Sequence, residues 1–154
     1  MKRFFSFAIC ILLVCSLFAV PVAAAEYSGA EGTIVSQAVT NFADGSYFVE
    51  TLYRSGIQLY SNTVSGGKTS TYYTSSGQAV YTIYLNGTFT YDGSSATATD
   101  AEASLGTHIE SAIPNDVTAY TSGASAYATG SVTYLGVTVS RTVKLTCDKD
   151  GNLS

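Results

Sequence analysis

The chain has 154 residues, with 14 Gly, 12 Tyr and no Trp, and Ser and Thr dominate beyond residue 25 while the helix-favouring Leu, Lys, Glu and Gln are scarce, which disfavours a helical bundle. The formal charge is −4. Loss of a leader bearing Lys2 and Arg3 leaves five of the 7 basic residues against 11 acidic ones, a charge of −6, and so acidic a product has no electrostatic basis for binding nucleic acid or anionic lipid.

Met1-Lys2-Arg3 is a short basic region, Phe4 to Val20 is apolar except for Ser6 and Ser16, and Pro21 precedes Val22-Ala23-Ala24-Ala25. A basic start, an apolar run and small residues at its end define an export signal over residues 1–25. The run is short for a membrane span, and bulky Val14 before Cys15 does not suit lipoprotein processing. Cys10 and Cys15 leave with the signal, so Cys147 is a lone thiol that cannot staple its own domain. The product is long enough for one domain with a real core and too short for two.

Residues 26–45 read as an N-terminal arm or one short helix. Ile34, Val35, Ala38, Val39 and Phe42 fall near helical spacing, although Thr33, Val35, Val39 and Thr40 are β-branched and weaken a helix. Residues 46–154 read as strands. Tyr47, Val49, Thr51 and Tyr53 alternate with Phe48, Glu50 and Leu52; residues 57–65 are irregular; Gly66-Gly67 reads as a break; Lys68 to Thr74 is a Thr/Tyr strand. Ser75-Ser76-Gly77 is a hairpin loop. From Ala79 to Tyr91 the odd positions, with Tyr81, Ile83, Leu85 and Phe89, form one apolar face, and Gly87 within it marks a bulge or a close backbone approach.

Asp92-Gly93 marks a turn, and the small Ala96 and Ala98 after it suit a site facing bulky aromatics. Residues 106–116 are ambiguous, with Pro114-Asn115-Asp116 as a turn. Ala126, Ala128, Gly130, Val132 and Tyr134 form one face of the next strand, Leu135-Gly136 closes a hairpin, and Val137, Val139, Val143, Leu145 and Cys147 alternate with polar residues, interrupted by Arg141. About six to seven such strands joined by short turns predict an all-β antiparallel β-sandwich, Ig-like or a small barrel.

Asn86-Gly87-Thr88-Phe89-Thr90-Tyr91-Asp92-Gly93, residues 126–130, Leu135-Gly136-Val137, Leu145-Thr146-Cys147-Asp148 and Gly151-Asn152-Leu153-Ser154 together resemble a family of small uncharacterised secreted β-proteins of Gram-positive, largely clostridial, bacteria. The likeness covers residues 68–154, with an echo at Asp44-Gly45-Ser46-Tyr47. It implies a secreted β-sandwich without assigned chemistry. In that family a second Cys stands near the position of Ala98. Here the partner is absent, so Cys147 is expected to be a buried free thiol.

No motif specifies a reaction, and neither a cofactor nor a metal is expected. Asp148-Lys149-Asp150-Gly151-Asn152 imitates the start of a calcium loop, but Leu153 stands where that loop needs Gly. Cys147 with His108 is a weak nucleophile–base pair, because a thiol on an apolar strand face is inert. Glu102 with Glu110, or Asp100 with Asp116, are carboxylate pairs that chance supplies freely. Asn86-Gly87-Thr88 and Asn152-Leu153-Ser154 match glycosylation acceptors by accident. The tyrosines point further: Tyr72, Tyr73 and Tyr84 are candidate surface contacts for a protein or glycan ligand. Arg141 on an apolar face must reach an edge or pair with Glu50, Asp100 or Glu102. The expectation is a non-enzymatic extracellular binding, structural or effector module released into the medium. Behind it stand a membrane-active protein inserting the 68–91 hairpin and a small extracellular hydrolase.

Overall fold

The computed structural model describes residues 32–56 and 62–154. The export signal read over 1–25, and the first part of the arm, lie outside the described residues, as do residues 57–61 of the segment expected to be irregular. The described chain is all-β, with no helix, and so none long and apolar enough to cross a membrane. Eight strands follow one another: β1 (Thr33–Asn41), β2 (Tyr47–Arg54), β3 (Thr63–Tyr73), β4 (Ala79–Tyr91), β5 (Ala96–Thr107), β6 (Ala112–Ser122), β7 (Ser125–Tyr134) and β8 (Val137–Thr146). They form two antiparallel meanders, a five-stranded sheet in the order β1-β2-β3-β4-β5 and a three-stranded sheet in the order β6-β7-β8. The sheets stay open, so the architecture is a sandwich and not a closed barrel.

Alternation does what it predicts in the centre. Tyr81, Ile83, Leu85 and Phe89 of β4 meet Ala126, Ala128 and Val132 of β7 and Val143 and Leu145 of β8, all at 1% exposure or less. Removing each large apolar side chain from water stabilises the fold by about 1.5–3 kcal/mol. Small residues lie where large ones need room: Phe89 pairs across the sheet with Ala98 and Tyr91 with Ala96. Gly87 is the close approach its position suggests, since a Cβ there would stand 3.0 Å from the Phe89 ring and 3.1 Å from Ala126 Cβ.

Four local expectations are corrected. Residues 33–41 form strand β1, paired with β2 from Thr33↔Arg54 to Asn41↔Tyr47, not an arm or a helix, so the domain begins before residue 46. A β-bulge between Ile34 and Ser36 puts two successive residues on one face, and this doubling mimics helical spacing. Gly66-Gly67 lies inside β3, where Gly66 faces Gly87; a side chain at Gly66 would meet Leu153 and the Tyr53 carbonyl. Pro114-Asn115-Asp116 is a bulge in edge strand β6, where a proline is tolerated because no ladder bond is lost. The count among the described residues is thus eight strands, one or two more than expected.

The turns behave as their residues dictate. Leu135 and Gly136 both take positive φ, 50° and 77°, the two-residue hairpin whose twist suits the flanking strands. Asp92 Oδ1 accepts the backbone N–H groups of Ser94 and Ser95 at 2.8 and 2.7 Å, and Gly93 supplies the left-handed φ of 83°.

Candidate functional site

The tyrosines divide between the faces. Tyr72 lies on the inner face of the five-stranded sheet, in a row with Phe48 and Tyr81; its ring centroid is 5.2 Å from Phe48 and 5.7 Å from Tyr81. It is therefore a core-edge residue and not a surface contact, because register pairs it with the inward Phe48 and Tyr81. Tyr73 is on the outer face, stacked on Tyr47 at 4.9 Å and 8° between planes. Tyr84 shares that outer face, opposite Thr69. A second stack went unnoticed in the sequence. Tyr120 and Tyr127 sit on the outer face of the three-stranded sheet at the same 4.9 Å and 8°, with the Lys144 ammonium 5.7 Å from the Tyr127 ring. The signal was available: the two residues are equidistant from the hairpin turn at Gly123-Ala124, so register makes them directly opposite.

Around this second stack the face is a hydroxyl lattice. Thr129 meets Thr142 at 2.9 Å and Thr133 meets Thr138 at 3.0 Å, while Asn115 Nδ2 donates to Thr133 at 3.1 Å. The rings and hydroxyls are therefore held by neighbours before any ligand arrives, which lowers the entropy cost of binding.

Arg141 finds the partner it needs. Its guanidinium donates to Glu50 Oε1 at 2.6 Å and lies 4.7 Å over the Phe48 ring, while Lys68 Nζ stands 3.6 Å from Glu50 Oε2. Glu50 and Lys68 come from β2 and β3, Arg141 from β8, so the cluster ties the two sheets together at an open side of the core. Asp100 and Glu102 play no part; Asp100 pairs across from Thr88 and Glu102 from Asn86. Beside the cluster, Ser70 Oγ, Tyr81 Oη and Arg141 Nε are buried with no protein partner. Burial and the nearby Tyr72 push the Tyr81 phenol up to about 12, against a smaller opposing pull from Arg141.

The remaining candidates are structural. Cys147 is a free, buried thiol whose pKa is raised by burial and then by Asp148. Its backbone N–H donates to the Ala124 carbonyl and that of Ala98 to the Gly123 carbonyl, so Ala98 and Cys147 flank the same turn. His108 is at the other end of β5, where Nε2 contacts Thr82 Oγ1 at 2.8 Å, a strand length from Cys147, roughly 30 Å at ~3.3 Å per residue. Glu110 lies beyond the end of β5 and Asp116 on β6 faces Ser131, so neither carboxylate pair is assembled by strand register. Asp148 spends its carboxylate on its own loop. Oδ1 accepts from the N–H groups of Asp150 and Asn152 at 2.9 and 2.8 Å, and Oδ2 from Asn152 Nδ2 at 2.9 Å. Among the described residues no group of three or more His, Cys, Asp or Glu side chains could hold a metal ion. A cleft of about 100 Å³ opens between Arg54, Thr63, Val64 and Tyr91, room for water and little else.

No known family model matches this chain, and neither the curated proteins nor the solved structures contain a match.

Proposed function

We propose that this chain is an exported protein that works by binding and not by catalysis, presenting the outer faces of a rigid sandwich to an extracellular protein or glycan. The observation that supports this best is the Tyr120–Tyr127 stack with Lys144 beside it, on a face rich in Thr and Ser hydroxyls. Tyrosine gives large contact area at low entropy cost and a hydroxyl for orientation, and Tyr120 is 51% exposed. The Tyr47–Tyr73 pair gives the opposite face the same device. Export rests on the leader at residues 1–25 and on the resemblance to small secreted proteins of Gram-positive bacteria. The membrane-active reading is less well supported, because the 68–91 hairpin lies in the middle of its sheet with its apolar face already sealed against the other sheet.

Glycan arrays and capture from culture medium, run on the wild type and on Tyr120→Ala/Tyr127→Ala, test this reading. A ligand bound by the wild type and lost by about tenfold or more in the variant, with an unchanged circular dichroism spectrum, supports it. Binding unaffected by the double substitution counts against this face, and leakage of lipid vesicles by the wild type replaces the reading with a membrane-active one.

A further inference from the structure

Ser70 Oγ, Tyr81 Oη and Arg141 Nε are buried with no protein partner, and Ser70 and Tyr81 are both 0% exposed. A buried polar group left unsatisfied costs stability, and three of them side by side point to a shared partner. Strand register brings them together. On the inner face of the large sheet Ser70 is directly opposite Glu50 of β2 and Ile83 of β4, and Tyr81 is the next inward residue of β4. That makes Tyr81 a diagonal neighbour of Ser70, within reach of a long side chain. From the other sheet Arg141 lies 4.7 Å over the Phe48 ring. Phe48 in turn meets the Tyr81 ring edge-on at 6.1 Å, and the Arg141 charge is felt at the Tyr81 phenol.

The chemistry of the three atoms selects the occupant. Arg141 Nε can only donate, and the Ser70 and Tyr81 hydroxyls can each turn to donate. Around them stand two cations, Arg141 and Lys68, against the single carboxylate of Glu50, with side chains 20–27% exposed. Asp100 and Glu102 sit on β5 opposite the outward Thr88 and Asn86 and do not balance the surplus. A group that accepts from all three donors and brings one negative charge meets both needs at once. Water would meet the hydrogen bonds and leave the charge. Phe48 and Ile83, neighbours in the same two rows, offer no further donor, which suits a monatomic anion and not a phosphate or carboxylate.

We propose that this cluster is a chloride site inside the sandwich, the ion accepting hydrogen bonds from Ser70, Tyr81 and Arg141. Ser70 and Tyr81 belong to the large sheet and Arg141 to the small one, so the ion is shared between the sheets. It joins them where no disulfide does, Cys147 being free. Because the site exists only in the folded chain, stability rises with the concentration of the ion. The site is separate from the outer-face tyrosines and independent of any ligand they bind.

Urea midpoints at neutral pH and constant ionic strength test it, with sodium gluconate replaced stepwise by sodium chloride. In gluconate the three donors are a cost, and Tyr81→Phe equals or exceeds the wild type. As chloride rises the wild type is expected to gain stability along a saturating curve and to overtake it. Ser70→Ala and Tyr81→Phe each remove one hydrogen bond to the ion and should weaken chloride binding about tenfold. Lys149→Gln, which removes an exposed cation elsewhere, leaves the curve unchanged. Wild-type crystals grown in bromide are expected to show the ion, by anomalous scattering, within hydrogen-bond distance of all three atoms. A wild type indifferent to chloride, a gain undiminished in both Ser70→Ala and Tyr81→Phe, water at that position in the bromide crystals, or bromide there with no effect on stability (an adventitious ion only) each overturn the proposal.

Discussion

Tyr81 has its ring at 0% exposure and its hydroxyl without a protein partner, a combination that costs stability at neutral pH. Tyr81→Phe is therefore expected to leave the protein as stable or more stable by up to ~2 kcal/mol at pH 7, read from urea midpoints. The same residue sets an alkaline limit. Its folded pKa, about 12, lies above the ordinary 10.0, so the unfolded chain releases the proton first. The associated stability is whole below pH 10 and is lost as pH rises towards 12; Tyr81→Phe should abolish that part of the alkaline decline. Glu50 makes the opposite case. It neutralises Arg141 at 2.6 Å and Lys68 at 3.6 Å in a mostly buried seam. Glu50→Gln keeps the shape and strands both cations, and a loss of about 2 kcal/mol is expected. Arg141→Met, which leaves Glu50 with Lys68, should cost less, and the double variant should fall short of the sum of the two.

At the scale of elements, the turns and the C-terminal loop are held by aspartates. Asp44, Asp92 and Asp148 each accept hydrogen bonds from their own loops, chiefly from Ser46, Ser95 with Ser94, and Asn152, and each carboxyl is lowered below its ordinary value. A lowered folded pKa means that stability is present above the ordinary carboxylate range and is lost as pH falls through the folded values. Asp148 matters most, because its loop is docked. Thr146 and Ser154 exchange backbone hydrogen bonds at 2.8 and 2.9 Å, Gly93 N–H donates to the Lys149 carbonyl, and Arg54 donates to that of Gly151. Leu153 packs at 9% exposure. Asp148→Ala should lower Tm at pH 7, and the difference from the wild type should shrink as the pH falls through the lowered range of the folded carboxyl; a loss that stays the same at every acidic pH would deny the carboxylate its role. The misread elements share a cause. A bulge lets β1 imitate a helix, and Gly66-Gly67 reads as a break because the groups that crowd Gly66, the Tyr53 carbonyl and Leu153, are remote in sequence.

For the whole molecule, side-chain alternation was enough to specify an all-β sandwich and most of its core, since a period of two has one buried solution when both sheets must cover each other. It also required a partner for Arg141, because a charge on an apolar face must be compensated. It did not choose Glu50 over Asp100 or Glu102. That choice was made by sheet order and register: β8 packs against β3 and β4, from where Arg141 reaches Glu50, whereas Asp100 and Glu102 sit on β5 at the far edge, opposite the outward Thr88 and Asn86. Pairing between strands equally sent Tyr72 inward, in register with Phe48 and Tyr81, and left β1 without a second neighbour among the described residues. Local chemistry determined which residues face in and which face out. Which strands meet depends on long-range packing between remote segments, and that information resides only in the assembled tertiary structure.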